Sequence, residues 1–324
     1  MKRRVQRACI GLFLAFCLTF ALSGQFAQAT HAMSSPDPNA PRGGVVIGAH
    51  DVTPTLLRDS GRAAMVTKIQ KQQQQRLQDF RNSRKQASGS LVQQTLHQFW
   101  GVFANQGTHD GMMATQSVDP SYVVRGSTSD YTYTPTMKPY NACMEVTTVY
   151  SRAVGDLIWA WDWCGGSAGS GSGPQKEVMM DQNFLRLYTT VVNGRSAYTV
   201  QIVKNASGGN SWTAYLYNYQ NRTWDTFYTS SGTDKAQLSY GWNIFEIYAT
   251  RNPQTGQAWY CTEAKNTVFE SSNFQLRSGG TWKLADASNS YWSPSTSPNP
   301  SDYWCSTLTF QRVANNSNWI VRVA

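Results

Sequence analysis

After about residue 120, apolar and polar residues alternate with a period of two, and turn-forming residues interrupt the pattern at short intervals. This period is typical of half-buried β-strands. The predicted strands are Val146–Tyr150, Leu157–Trp163, Phe184–Val192, Ala197–Lys204, Trp212–Tyr219, Trp224–Thr229, Asn243–Ala249, Ala258–Thr262, Val268–Leu276, Thr281–Leu284, Trp304–Gln311 and Trp319–Val323. So many short strands predict a mainly β protein, an antiparallel β-sandwich of jelly-roll or concanavalin-like type.

Turn signals support this prediction. Asn193-Gly194 is the dipeptide that most strongly favours a two-residue β-hairpin. Ser278-Gly279-Gly280 predicts a second turn. We therefore expect one β-sandwich domain over residues 120–324.

The N-terminus has the pattern of a secretory signal peptide over residues 1–29. Four basic residues precede an apolar run, Ala8–Leu22, that is short for a membrane span. Ala27-Gln28-Ala29 is a small-residue cleavage site. The pattern predicts a secreted protein that begins at Thr30 and has no membrane anchor.

Between the signal and the sandwich we expect an extended linker over residues 30–55 and a basic helical segment over residues 56–110. The helix prediction depends on apolar residues at roughly helical spacing: Met65, Ile69, Leu77, Phe80, Leu91, Leu96, Phe99 and Trp100. Residues 58–85 contain eight Lys or Arg and two Asp. Such a segment is either a spacer or a pro-segment that is removed or displaced after export.

The formal net charge of +9 does not describe the sandwich. From Gln86 onward the chain has 15 basic and 15 acidic residues. Nucleic-acid binding needs clustered Lys and Arg, so the balance argues against it.

Four cysteines remain after signal cleavage, and they are Cys143, Cys164, Cys261 and Cys305. In an exported chain they predict two disulfides, with three possible pairings. We favour Cys143–Cys164, which flank one predicted hairpin, together with Cys261–Cys305. No C-x-x-C pair occurs, and we expect neither a metal nor another cofactor.

All four histidines lie before residue 110. A catalytic site inside the predicted sandwich would therefore use carboxylates, amides or hydroxyls. The carboxylates on or beside predicted strands are Glu145, Asp162, Asp225, Glu246, Glu263 and Glu270. Glu246 is the strongest candidate, because alternation places it on one face with Trp242, Ile244 and Tyr248. The alternative is a structural carboxylate held by an Arg or a Tyr hydroxyl.

Two motifs resemble those of secreted glutamic peptidases. Gly241-Trp242-Asn243-Ile244-Phe245-Glu246 follows a hairpin, as does the strand with the catalytic Glu in that family. Upstream, Cys143-Met144-Glu145-Val146 precedes the aromatic segment Leu157–Trp163. This arrangement resembles the Cys-Gln strand of the fungal enzymes and the Ile-Glu strand of the neprosin-like plant enzymes. The resemblance covers roughly residues 140–250.

The resemblance implies an acid endopeptidase with a β-sandwich fold. The fungal Gln falls on Met144 here, so only the neprosin-like pair of glutamates can be carried over, and it implies Glu246 with Glu145. One would activate a water and the other would donate protons. The pair requires a strand register that points both side chains to the same place. In this hypothesis Trp159, Trp161, Trp163, Trp242 and Tyr248 bind a polypeptide substrate.

A second hypothesis is a non-catalytic module that binds carbohydrate or another surface. Trp159, Trp161 and Trp163 alternate along one face, and a second row runs from Thr213 to Tyr219. Aromatic rows can stack on sugars, but they also fill sandwich cores. A third hypothesis is a structural cell-surface protein. In each case we expect a monomer outside the cell.

Overall fold

The residues that the structure describes form two β-sheets packed face to face, and a short helix or turn joins some of their strands. The computed structural model describes residues 35–52, 96–107, 109–126, 130–164, 173–206, 209–230 and 240–324. The expected signal peptide, and the part of the expected helical segment that falls in residues 53–95, lie outside these ranges.

Sheet A contains ten strands, in the order β1-β12-β11-β10-β4-β14-β18-β17, with β9 beside β10 and β15 beside β14. Its strands are β1 Arg42–Val45, β4 Gly111–Ser117, β9 Thr189–Val192, β10 Arg195–Lys204, β11 Trp212–Asn218, β12 Thr223–Thr229, β14 Val268–Ser278, β15 Thr281–Leu284, β17 Leu308–Ala314 and β18 Asn318–Val323. All of its pairings are antiparallel except that of β1 with β12.

Sheet B contains eight strands, in the order β16-β3-β13-β5-β6-β7-β8-β2. They are β2 His50–Asp51, β3 Leu96–Ala104, β5 Tyr131–Lys138, β6 Met144–Ser151, β7 Leu157–Asp162, β8 Gly173–Met179, β13 Trp242–Ala249 and β16 Ser290–Ser293. The described helices are α1 Gln182–Tyr188, α2 Trp259–Glu263 and a 3₁₀ turn at Pro300–Tyr303.

The main core lies between the two sheets. Phe245 and Ile247 of β13 face it from sheet B, and Val200, Phe269 and Val321 face it from sheet A. This packing confirms the predicted β-sandwich. Both sheets alternate inward and outward side chains, which is the pattern that the period of two predicts.

Two local predictions are also confirmed. Asn193 and Gly194 both have positive φ and join β9 to β10 in a tight hairpin. The disulfides are Cys143–Cys164 and Cys261–Cys305, the pairing that we favoured.

The helical segment predicted over residues 56–110 is wrong at its C-terminal end, because Leu96–Ala104 is strand β3. Phe103 faces the outer side of sheet B, whereas Trp100 and Val102 face the core. Both faces of β3 carry apolar side chains, and this doubly apolar pattern mimics helical spacing. Residues 111–117 form another central strand, so the sandwich begins well before residue 120.

Two predicted strands are partly or wholly helical. Residues 182–188 form α1, whose first turn is capped by Asp181 accepting a hydrogen bond from the Phe184 N–H. Residues 259–263 form α2 rather than a strand. The predicted linker also differs, because residues 35–52 contain β1 and β2, each of which extends an edge of a sheet.

Candidate active site

The face of sheet B that points away from the main core carries a second, mostly aromatic cluster. It comprises Phe103, Tyr131, Tyr133, Cys143, Val149, Val154, Leu157, Trp159, Trp161, Trp163, Cys164, Trp242, Ile244 and Tyr248. Three glutamates share this outer face: Glu145 is 2% exposed, and Glu177 and Glu246 are 0% exposed. Burying a carboxylate is costly unless it is hydrogen-bonded or paired, so the partners of each one indicate its role.

Glu246 lies in the middle of β13, between Ile244 and Tyr248 on the outer face. Its neighbours in sequence, Phe245 and Ile247, belong to the main core. The strand therefore places this carboxylate as the alternation predicts. Its backbone pairs with Phe99 of β3 on one side and Tyr133 of β5 on the other.

Glu246 contacts a histidine across the sheet. His97 Nε2 lies 2.7 Å from Glu246 Oε1, a hydrogen-bond distance. The His97 side chain is 17% exposed, whereas that of Glu246 is fully buried. Because imidazole and carboxylate can both gain and lose a proton, this contact forms an acid–base pair. The sequence prediction placed His97 in the helical segment outside the sandwich, from which it could only reach into the site.

Tyrosines surround this pair. The His97 ring stacks on Tyr248 with 4.3 Å between ring centroids and 4° between their planes. Tyr131 packs on Tyr248 at 5.0 Å. Burial raises the pKa of Tyr131 well above its usual value, and the nearby Glu246 charge raises it further. These rings hold the imidazole in place and limit the access of water.

Glu145 of β6 has a different environment. Its carboxylate accepts hydrogen bonds from the Thr136 hydroxyl, from Trp163 Nε1 at 2.9 Å and from Trp242 Nε1 at 3.0 Å. Three donors from three parts of the chain fix this side chain within the aromatic cluster. By accepting hydrogen bonds from both indole N–H groups, Glu145 fixes the positions of Trp163 and Trp242.

The structure does not bring Glu145 and Glu246 together. Strand β5 lies between their strands, and Glu246 is level with Tyr133 and Val149, four residues from Glu145. Two strand spacings and four residues of rise place their backbones about 16 Å apart. One water cannot contact both carboxylates at that separation.

The tryptophan row of β7 is buried in the same cluster. Trp159, Trp161 and Trp163 are 1%, 2% and 5% exposed. Trp159 Nε1 donates to Glu177 Oε2 at 3.0 Å. These three rings therefore form a buried aromatic wall, and they are not exposed enough to stack on sugars.

The second aromatic row lies on the outer face of sheet A. Tyr217 packs there against Trp224, with 5.0 Å between ring centroids. The Arg42 guanidinium lies 3.9 Å from the Tyr215 ring centroid. The segment that contains β1 thus covers part of this row.

Among the described residues, one group has metal-binding composition: Cys143, Asp162 and Cys164. The two sulfur atoms form a disulfide, so they are not available as thiolate ligands. No helix in the described ranges is long and apolar enough to cross a membrane.

No protein-family model matches this sequence, and no curated protein matches it. Similar solved structures include Scytalido-glutamic peptidase with a peptide-based transition state analog, at 11% identity and a TM-score of 0.32. They also include SCP-B, a member of the Eqolisin family of peptidases, in complex with the tripeptide Ala-Ile-His, at 10% identity and a TM-score of 0.34.

A second Scytalido-glutamic peptidase structure, with a transition state analog inhibitor, has 12% identity and a TM-score of 0.35. Each comparison covers 69% of this chain and 98% of the other. These proteins are glutamic peptidases, the family that the sequence motifs resemble.

Proposed function

We propose that this protein is a secreted, glutamic-peptidase-like hydrolase that cleaves polypeptides at acid pH, with Glu246 as its central acid–base group. The observation that carries the proposal is the contact of 2.7 Å between Glu246 Oε1 and His97 Nε2 on a buried, aromatic sheet face. Histidine and glutamate are among the side chains that most often transfer protons in catalysis.

The pair supplies the two proton transfers that peptide hydrolysis needs. Glu246 accepts a proton from the attacking water, and the oxygen of that water adds to the peptide carbonyl carbon. His97, as imidazolium, donates a proton to the leaving amine nitrogen, and the C–N bond breaks.

Glu145 has a supporting role in this proposal. Since it is held by Thr136, Trp163 and Trp242, it maintains the packing of the aromatic cluster beside the Glu246–His97 pair. Trp159 and Trp161 continue that cluster on β7. Because Trp159 and Trp161 are 1% and 2% exposed, these rings stabilise the cluster and offer almost no surface to a substrate.

The test is cleavage of a denatured protein by the mature protein between about pH 3 and 7, a range that brackets carboxylate and imidazole titration. Intact-mass analysis follows both the substrate and the protein's own N-terminus. We expect cleavage on the acid side, and we expect Glu246→Gln to abolish it. Cleavage products also give the substrate preference.

Glu270→Gln is the matched control. Glu270 is another buried glutamate, but it lies in sheet A and pairs with Arg195. This variant should retain activity while it remains folded. If Glu246→Gln cleaves as fast as the unsubstituted protein, the proposal is wrong. If folded, disulfide-bonded protein cleaves nothing at any pH, glycan binding becomes the next function to test.

A further inference from the structure

Residues 35–52 connect the two sheets at neighbouring edges. Strand β1 pairs in parallel with β12 at one edge of sheet A. Strand β2 follows five residues later and pairs antiparallel with β8 at one edge of sheet B. We call residues 35–52 the strap. The next described residue after the strap is Leu96, the first residue of β3.

Backbone hydrogen bonds hold the strap along β12. The Trp224 N–H donates to the Pro41 carbonyl at 2.9 Å, and the Val46 N–H donates to the Thr226 carbonyl at 2.9 Å. The Trp224 indole also donates to the Asp37 carbonyl at 3.0 Å. Trp224 itself is fully buried, whereas the four residues of β1 are exposed.

Side chains of sheet A add further contacts to the strap. Gln201 Nε2 donates to the Pro38 carbonyl at 2.8 Å. Arg42 donates to Gln201 Oε1 at 3.0 Å and stacks over Tyr215. Burial lowers the pKa of Arg42 from its usual value, which reflects how closely the guanidinium is packed.

The sheet B end of the strap is fastened separately. The Val52 N–H donates to the Gln175 carbonyl at 3.0 Å. Lys176 forms an ion pair with Asp51 at 3.1 Å. Between the two ends, the Ile47 N–H donates to the Tyr188 hydroxyl at 2.8 Å.

All these contacts are non-covalent. Both disulfides join residues at or beyond Cys143, and the sequence has no cysteine between Cys17 and Cys143. We propose that the strap binds the sandwich independently of its peptide connection through residues 53–95, so that the protein keeps its fold as two associated chains when that connection is cut. This inference does not depend on the proposed catalytic function.

The position of the strap also bears on which residues could be removed as a pro-segment. Residues 35–52 and 96–117 both supply strands to the sandwich. A processing step that keeps all of these strands would therefore be an internal excision within residues 53–95. The product would be a short chain carrying the strap and a long chain carrying the other strands.

The test uses the full mature chain with a recognition sequence for a specific endoprotease in place of the Gln72–Gln75 tract. After cleavage, we expect the short and long chains to elute together at a 1:1 ratio under native conditions and to separate in denaturant without reductant. Release of the short chain under native conditions would overturn the proposal. If the native protein resists cleavage, co-expression of residues 30–71 and 76–324 as separate chains gives the same readout.

Two adjacent glycines provide matched variants. A Cβ on Gly43 would collide with Asp225 and would lie 2.5 Å from Thr223 Oγ1, whereas a Cβ on Gly44 meets nothing within 4 Å. Gly43→Ala should therefore weaken binding of the short chain at least about tenfold, and Gly44→Ala should leave it unchanged. If the short chain remains bound to the long chain equally well in both variants, the proposed docking through β1 is wrong. Should Gly43→Ala fail to fold even uncut, Arg42→Ala replaces it.

Discussion

At the scale of single residues, the contact between Glu246 and His97 joins two positions that are 149 residues apart in sequence. Neither residue belongs to a local motif with the other. Strand β3 places His97 directly opposite Tyr248 and two residues from the position opposite Glu246. The pair therefore exists only because β3 and β13 are neighbours, and its chemistry is a property of the sheet.

The first prediction concerns His97. His97→Asn should lower kcat/KM for peptide cleavage by about 10²- to 10⁴-fold, the usual contribution of a positioned proton donor. The effect should fall mainly on kcat, because the imidazole acts on the reacting bond rather than on substrate binding. Steady-state kinetics at the acid optimum measure it.

His50→Asn is the control for this prediction. His50 also approaches a buried carboxylate, but its Nε2 lies 3.6 Å from Glu177 Oε1 and its side chain is 47% exposed. This variant should change kcat/KM by less than about twofold, since exposed imidazole–carboxylate pairs contribute little. Equal losses in the two variants would show that His97 has no special role.

The sequence indicated Glu246 but not its partner. Alternation of apolar residues around Glu246 is a local signal, and the structure places that side chain among Ile244 and Tyr248 as expected. His97 lies in a strand with apolar side chains on both faces, where no alternation distinguishes strand from helix. The separation of Glu145 from Glu246 was equally hidden, because it depends on the order of strands in sheet B.

Among the elements, the central strands that follow clear turn signals were predicted most accurately. Strands β10, β11, β12 and β13 all lie within two residues of their predicted bounds. Helix α1 was missed because its capping residue, Asp181, lies outside the apolar run that suggested a strand. Strands β1 and β2 were missed because short edge strands carry little periodic signal.

The second prediction concerns strand β7. Trp161→Ala should reduce the free energy of unfolding by about 3–5 kcal/mol, because it removes a large buried ring and leaves a cavity. Trp161 is 2% exposed and packs against Trp159 and Trp163 at centroid distances of 6.3 and 5.8 Å. Urea unfolding followed by circular dichroism measures the loss.

Leu284→Ala on β15 is the comparison variant, since Leu284 is 53% exposed. It should change the free energy of unfolding by no more than about 0.5 kcal/mol. A stable Trp161→Ala protein that had lost binding to a polysaccharide would instead favour the carbohydrate-binding hypothesis. The free energy of unfolding thus distinguishes a buried packing role for Trp161 from a role in carbohydrate binding.

At the level of the molecule, two partly buried groups respond to pH with opposite signs. Burial raises the pKa of Asp156 to about 6, and the Asp119 charge adds to the effect. Burial lowers the pKa of His109 to about 4, and the Lys138 charge adds to that effect. His109 Nε2 accepts a hydrogen bond from the Tyr140 N–H at 3.1 Å, which requires that nitrogen to be unprotonated.

The signs follow from linkage between protonation and folding. Asp156 contributes its full stability below its usual pKa of 3.8 and loses it as the pH rises through about 6. His109 contributes its full stability above its usual pKa of 6.5 and loses it as the pH falls towards 4. Between pH 4 and 6 the two contributions change in opposite directions. The free energy of unfolding should therefore depend only weakly on pH, although each group alone would change it.

Single substitutions should reveal the separate contributions of Asp156 and His109 to the free energy of unfolding. Relative to the unsubstituted protein, Asp156→Asn should gain stability as the pH rises from 4 to 6, because it removes a contribution that decays over that interval. His109→Gln should show the reverse trend, with a relative loss that grows to about 3 kcal/mol by pH 7. Urea unfolding at pH 4, 5, 6 and 7 gives both difference curves. Curves parallel to that of the unsubstituted protein would mean that neither group changes its protonation on folding, and the shallow profile would then have another origin.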